Sequence, residues 1–143
     1  MKIAIASDHA GYSLKQLIVE HLKSKNISVQ DFGPQNEESV DYPDFGHPVA
    51  SSVKTNESDL GIVICGSGNG INMTVNKHQE IRSALSWTPE IASLARQHNN
   101  ANVLAIPARF ISENLGLEIV DAFINAEFEG GRHQRRVNKI ALN

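Results

Sequence analysis

A cysteine followed by three alternating glycines, Cys65-Gly66-Ser67-Gly68-Asn69-Gly70, holds the chemistry most readily read from this chain. Glycine permits positive φ and lets the backbone approach a ligand closely. Where such a loop opens a helix, its N–H groups and the helix dipole favour an anion or an oxyanion. The plainer reading is a tight strand-to-helix turn, but three glycines in five residues exceed what a turn needs. The spacing is not the dinucleotide pattern G-x-G-x-x-G, and no Gly-Lys-Ser/Thr follows, so it is not a nucleotide P-loop. A cysteine that attacks phosphorus needs an arginine where this loop has Ile71. Cys65 stands at a strand end beside a helix N-terminus, a place that raises a thiol's thiolate fraction. A lone cysteine is otherwise a small core residue, and the neighbouring glycines tip the reading toward function. Ser67 either caps the loop or turns its hydroxyl to a ligand; both stay open.

The six histidines show neither H-E-x-x-H nor a Cys/His cluster, so no metal site is expected. His21, His47, His78 and His133 read as surface or structural residues. His9 follows Asp8 at a strand end, and His98 precedes Asn99 and Asn100 in the connection to the fifth strand; both can reach one pocket. Asp8 competes as a helix N-cap and His98 as a helix C-cap partner. Arg132 and Arg136 are four apart on one helix face, which suits a phosphate. A solvated basic helix end is the plainer reading of that segment, and Arg135 and Lys139 fit it. No aromatic residues interleave with these charges, which argues against a nucleic-acid surface.

Short apolar runs alternating with amphipathic segments must position these groups. Strands are expected at Ile3–Ala6, Ile27–Phe32, Leu60–Ile64, Ile81–Leu85 and Val103–Ile106. Leu14, Leu17, Ile18 and Leu22 recur at helical spacing, Pro43 can open a second helix, and Gly70–Lys77 reads as a third. Thr88-Pro89-Glu90 and Ser112 start two more, and Gly130-Gly131 separates the latter from a basic helix over Arg132–Leu142. The alternation predicts an α/β fold, a parallel sheet of five strands with helices on both faces. Ligands then bind beyond the carboxyl ends of the strands. That selects Ser7-Asp8-His9, Cys65 to Gly70 and Pro107-Ala108-Arg109.

The chain has 143 residues, 41% of them hydrophobic, which fits one domain over residues 1–143. Thirteen basic residues against sixteen acidic leave a net charge of −3, with no bias toward nucleic acid or anionic membrane. No apolar run approaches a membrane span, and Met1–Ala6 is too short for a signal-peptide core. One cysteine excludes an internal disulfide framework and makes a reducing cytoplasm the default compartment.

As a set, Ser7-Asp8-His9-Ala10-Gly11, Asp41-Tyr42-Pro43, Cys65–Gly70, Asn76-Lys77, Arg96-Gln97-His98-Asn99, Asn102-Val103-Leu104 and Glu129–Val137 resemble one family. It is the B-type ribose-5-phosphate isomerase family, grouped with the allose- and galactose-6-phosphate isomerases. The matches span almost the whole chain in the family's order. The resemblance implies a Rossmann-like α/β/α fold, a homodimer or dimer of dimers, no metal or organic cofactor, and interconversion of ribose 5-phosphate and ribulose 5-phosphate. It implies that Cys65 is the base and that His98 opens the furanose ring with Asp8 beside it. His9, Arg132 and Arg136 match phosphate ligands, and Gly66, Ser67, Gly68, Asn69 and Gly70 match the loop at the reacting end of the sugar. Asn99, Arg109 and Tyr42 match further sugar contacts, and the C-terminal helix, about 131–142, is expected to meet a partner subunit. Ser67 stands where the family often has threonine, which keeps the hydroxyl and loses a methyl. A six-carbon sugar phosphate is the alternative substrate, and a non-catalytic sugar-phosphate-binding subunit the alternative function. Retention of Cys65, Asp8 and His98 argues against the latter. A phosphorelay receiver would need an aspartate where Cys65 stands.

Overall fold

The computed structural model describes residues 1–142. Five strands, β1 (Lys2–Ser7), β2 (Ser28–Asp31), β3 (Leu60–Cys65), β4 (Ser83–Leu85) and β5 (Val103–Pro107), form one sheet in the order β2-β1-β3-β5-β4. Every pairing is parallel. The helices are α1 (Tyr12–Ser24), α2 (Tyr42–Lys54), α3 (Asn69–Val75), α4 (Pro89–Asn99), α5 (Glu113–Asn125) and α6 (Arg132–Val137).

β3 is buried along its whole length because both faces of the sheet are covered. Alternate strand residues point to opposite faces. Ile3, Ile5, Ile62, Ile64, Leu104 and Ile106 therefore pack with Leu14, Ile18, Ala92, Ile119 and Phe123 of α1, α4 and α5. Ala4, Ala6, Val63, Cys65 and Ala105 face Val49, Val53, Ile71 and Val75 of α2 and α3. Small residues let α2 lie close on that face: a Cβ on Gly61 would sit 2.8 Å from Val49 Cγ1.

The expected helix starts are present. Thr88 Oγ1 accepts from Ile91 N at 3.3 Å, and Ser112 Oγ accepts from Leu115 N at 3.1 Å. Several boundaries shift by one or two residues from expectation, and three differences have a visible cause. β4 begins at Ser83, because Arg82 N is taken by the Asn102 side chain at 2.8 Å. α5 ends at Asn125, five residues before the glycine pair, where Ala126 turns extended. The C-terminal helix, expected over Arg132–Leu142, stops at Val137. Lys139 and Ile140 donate only three residues back, and Ile140 and Leu142 stay exposed, so no packing rewards further helix. No helix among the described residues is long and apolar enough to cross a membrane.

Candidate functional site

At the carboxyl edge of the sheet, β1 runs into Asp8 and His9. Asp8 N donates to Ile64 O at 3.0 Å, which ties this turn to β3. The buried Asp8 carboxylate accepts from Gly11 N at 3.0 Å through Oδ1. That bond closes the turn before α1 and occupies one oxygen; the N-cap of α1 is Gly11, so Asp8 is not the helix N-cap. His9 Nδ1 accepts from Val40 N at 3.3 Å.

β3 delivers Cys65, which is buried and lies in register with Pro107 of β5. Ala108 N and Arg109 N donate to Cys65 O and Gly66 O, both at 3.0 Å, stitching the exit of β5 to the glycine loop. Each glycine of the loop is fenced. A Cβ on Gly66 would lie 3.3 Å from the Arg109 guanidinium. At Gly68, φ is +74°, and a Cβ would collide with Leu85 Cδ1 and lie 3.1 Å from Ile106 C and Pro107 N. On Gly70 it would strike the Tyr42 ring at 2.5 Å. Ser67 and Asn69 point out of this fence and are exposed. Ser67 Oγ accepts from Asn69 N at 3.3 Å, so the loop-capping reading is realised while the hydroxyl still faces solvent. Asp8, His9, Tyr42, Cys65 to Gly70 and Arg109 thus share one edge.

His98, Asn99, Arg132 and Arg136 do not join them within one chain. A helix following a parallel strand runs back along it, so the last turn of α4 lies at the amino edge. There Asn102 O accepts from Gly61 N at the start of β3. β5, from Val103 to Pro107, separates the two edges by about 13 Å. The expectation that His9 and His98 reach one pocket therefore fails for a single copy.

The amino edge has its own order. Glu129 N donates to Gln97 O at 3.0 Å, which lays the segment before α6 against α4. The His98 and His133 rings stack, and Glu129 Oε2 lies 3.8 Å from His98 Nε2 and 3.4 Å from His133 Nε2. His133, expected at the surface or as a structural group, is buried. Desolvation, then the neighbouring His98 and Arg132, hold its pKa below the ordinary 6.5 against the pull of Glu129. Its signal in the sequence is the four-residue spacing from Glu129. His98, Glu129 and His133 offer ligand atoms within 4.8 Å of one another, a set that could gather a cation. The positive charges of Arg132 and Arg136, which already lower His133, oppose one.

Large apolar side chains remain exposed: Met73 (63%), Trp87 (51%) and Phe110 (75%).

A family model described as Ribose/Galactose Isomerase matches residues 3–140. The chain is 45% identical over 139 residues to ribose-5-phosphate isomerase B of Escherichia coli, covering 97% of this chain and 93% of that protein. Among solved structures, ribose-5-phosphate isomerase B of Clostridium thermocellum superposes with a TM-score of 0.97 at 51% identity, covering 98% of this chain and 95% of that one. The Mycoplasma genitalium enzyme with bound ribulose-5-phosphate gives 0.94 at 51% identity, covering 97% and 93%.

Proposed function

Since the chain belongs to the Ribose/Galactose Isomerase family, we propose that it interconverts ribose 5-phosphate and ribulose 5-phosphate by proton transfer through a cis-enediolate. One observation carries this reading: a relative with 51% identity over nearly the whole chain holds ribulose 5-phosphate.

The reaction needs a ring opener, a base for the proton beside the carbonyl, and donors for the enediolate oxygen. His98 protonates the ring oxygen while Asp8 orients the anomeric hydroxyl. Cys65, as thiolate, takes the proton from C2 and returns it at C1, and the reverse reaction uses the same group. Backbone N–H groups from Gly66 to Gly70 hold the oxyanion, and the exposed Ser67 hydroxyl serves proton transfer between O1 and O2. Asn99, Tyr42 and Arg109 contact the sugar. His9, Arg132 and Arg136 take the phosphate, whose binding energy orients the reacting end.

These roles require two copies. The opposite edges that carry Cys65 and His98 meet when the amino edge of one copy covers the carboxyl edge of another in a homodimer or dimer of dimers. The exposed Met73, Trp87 and Phe110 support an apolar contact of this kind. No cofactor enters these steps, and a working thiol suits a reducing cytoplasm.

The test is isomerisation by the purified protein across a panel of aldose 5- and 6-phosphates. Ribose 5-phosphate should show the highest kcat/KM. A higher value for allose or galactose 6-phosphate would move the substrate to six carbons, and sugar-phosphate binding with no turnover would make the chain a binding subunit.

A further inference from the structure

Lys15 lies in α1 with 0% exposure. A buried ammonium is costly unless each of its three N–H groups is paired. All three are: Nζ reaches Asp31 Oδ1 at 2.7 Å, Asp31 Oδ2 at 2.8 Å and Pro34 O at 2.9 Å. Asp31 Oδ1 also accepts from Gly33 N at 2.8 Å, and Gly33 O accepts from Ser7 N at 3.0 Å. The exit of β2 is thereby clamped between α1 and the end of β1. The loop that follows is held again by Tyr12 Oη donating to Gln35 O at 3.2 Å and Ser13 Oγ donating to Glu37 at 2.9 Å. It then presents Val40 N to His9 Nδ1 at 3.3 Å.

A ring nitrogen that accepts carries no proton, so the proton of His9 sits on Nε2. We infer that Lys15 is a positioning residue for substrate binding: through Asp31 and the 33–40 loop it sets Val40 N–H against His9 Nδ1, so that His9 offers Nε2–H to the phosphate. The inference rests on His9 being a phosphate ligand, as proposed above. A lysine that only stabilised the fold would not set the tautomer of a ring it does not touch.

Three variants separate the possibilities. Val40→Pro removes one N–H and leaves the Lys15–Asp31 pair alone; Val40→Ala, its control, keeps the N–H. The double variant K15M/D31N removes both charges together, so neither is left buried without a partner. His9→Asn tests the underlying assignment. Imidazole nitrogen shifts of the 15N-labelled protein report the His9 tautomer. Kinetics are read with ribose 5-phosphate and with unphosphorylated ribose. The wild type and Val40→Ala should show the Nε2–H form. Val40→Pro and K15M/D31N should lose it and raise KM for ribose 5-phosphate about tenfold, with kcat and the turnover of unphosphorylated ribose within about twofold of wild type. An Nδ1–H tautomer in the wild type overturns the inference. So does an unchanged KM in Val40→Pro when His9→Asn raises it, and a K15M/D31N protein that keeps both tautomer and KM removes Lys15. If His9→Asn leaves KM unchanged, the phosphate assignment falls and the inference falls with it.

Discussion

The imidazole rings of His98 and His133 lie 4.3 Å apart and within 7° of parallel. A flat face pressed on His98 fixes the plane of its ring. Desolvation, then the neighbouring His98 and Arg132, lower the pKa of His133, which favours its packing as a neutral ring. His133→Ala should therefore slow the cyclic substrate by freeing the His98 ring. The loss should be smaller than the roughly 10²–10⁴-fold expected when His98 itself becomes Asn. Stopped-flow comparison of cyclic and open-chain substrate checks this: equal losses on both would count against a ring-opening role for His98.

The separation of Cys65 from His98 gives a sharper test. Cys65→Ala and His98→Asn should each be nearly inactive alone, with Cys65→Ala still binding the sugar phosphate. Mixed after dissociation, they should regain roughly a quarter of wild-type activity. Half of randomly paired dimers are mixed, and each mixed dimer has one intact site. A mixture that stays inactive would sink the two-copy site.

For the phosphate end, Arg136→Ala should raise KM for ribose 5-phosphate about tenfold or more, with a smaller change in kcat. An unchanged KM would remove Arg136 from the site.

Asp121 supplies an acid-side stability effect. Burial raises its carboxyl, but hydrogen bonds from Lys25 and His21 overcome that, and the net pKa is below the ordinary 3.8. The unfolded chain therefore takes the proton first. This contribution is complete above the ordinary value and fades as pH falls through the folded one. Both partners are partly exposed, so the effect is less than about 1 kcal/mol. Urea unfolding between pH 6 and pH 2.5 should show a shallower acid limb for Asp121→Asn, and an identical limb would contradict the linkage.

Gly68→Ala should cost about 2 kcal/mol in denaturant unfolding, because the new Cβ meets backbone at a positive φ. A loss under about 0.5 kcal/mol would mean that the fence yields.

The strands were legible because a sheet covered on both faces leaves uniformly apolar runs, as in Leu60–Ile64. Thr88 and Ser112 were legible because a cap needs only residues three apart. The amino-edge position of His98 was implicit in the alternation itself. Turns from strand to helix lie at one edge and turns from helix to strand at the other, and His98 belongs to the second kind. The burial of His133 was hidden, since α6 is short and polar and its burial depends on Gln97 and Glu129 pulling it onto α4. The end of the C-terminal helix was not legible, because a basic run does not show where packing stops, and Ile140 and Leu142 stay exposed.

The alternation in the glycine loop also sorts its positions by how freely evolution can rewrite them. Gly66, Gly68 and Gly70 are hemmed in by Arg109, by Leu85 and the β5 backbone, and by Tyr42, whereas Ser67 and Asn69 face outward and bear no packing load. A lineage can therefore try new side chains at 69 without disturbing the scaffold, while position 67 must keep a hydroxyl to cap Asn69 N and to serve the proton transfer proposed for it. Drift in this loop should gather at 69 and, at 67, stay within serine and threonine.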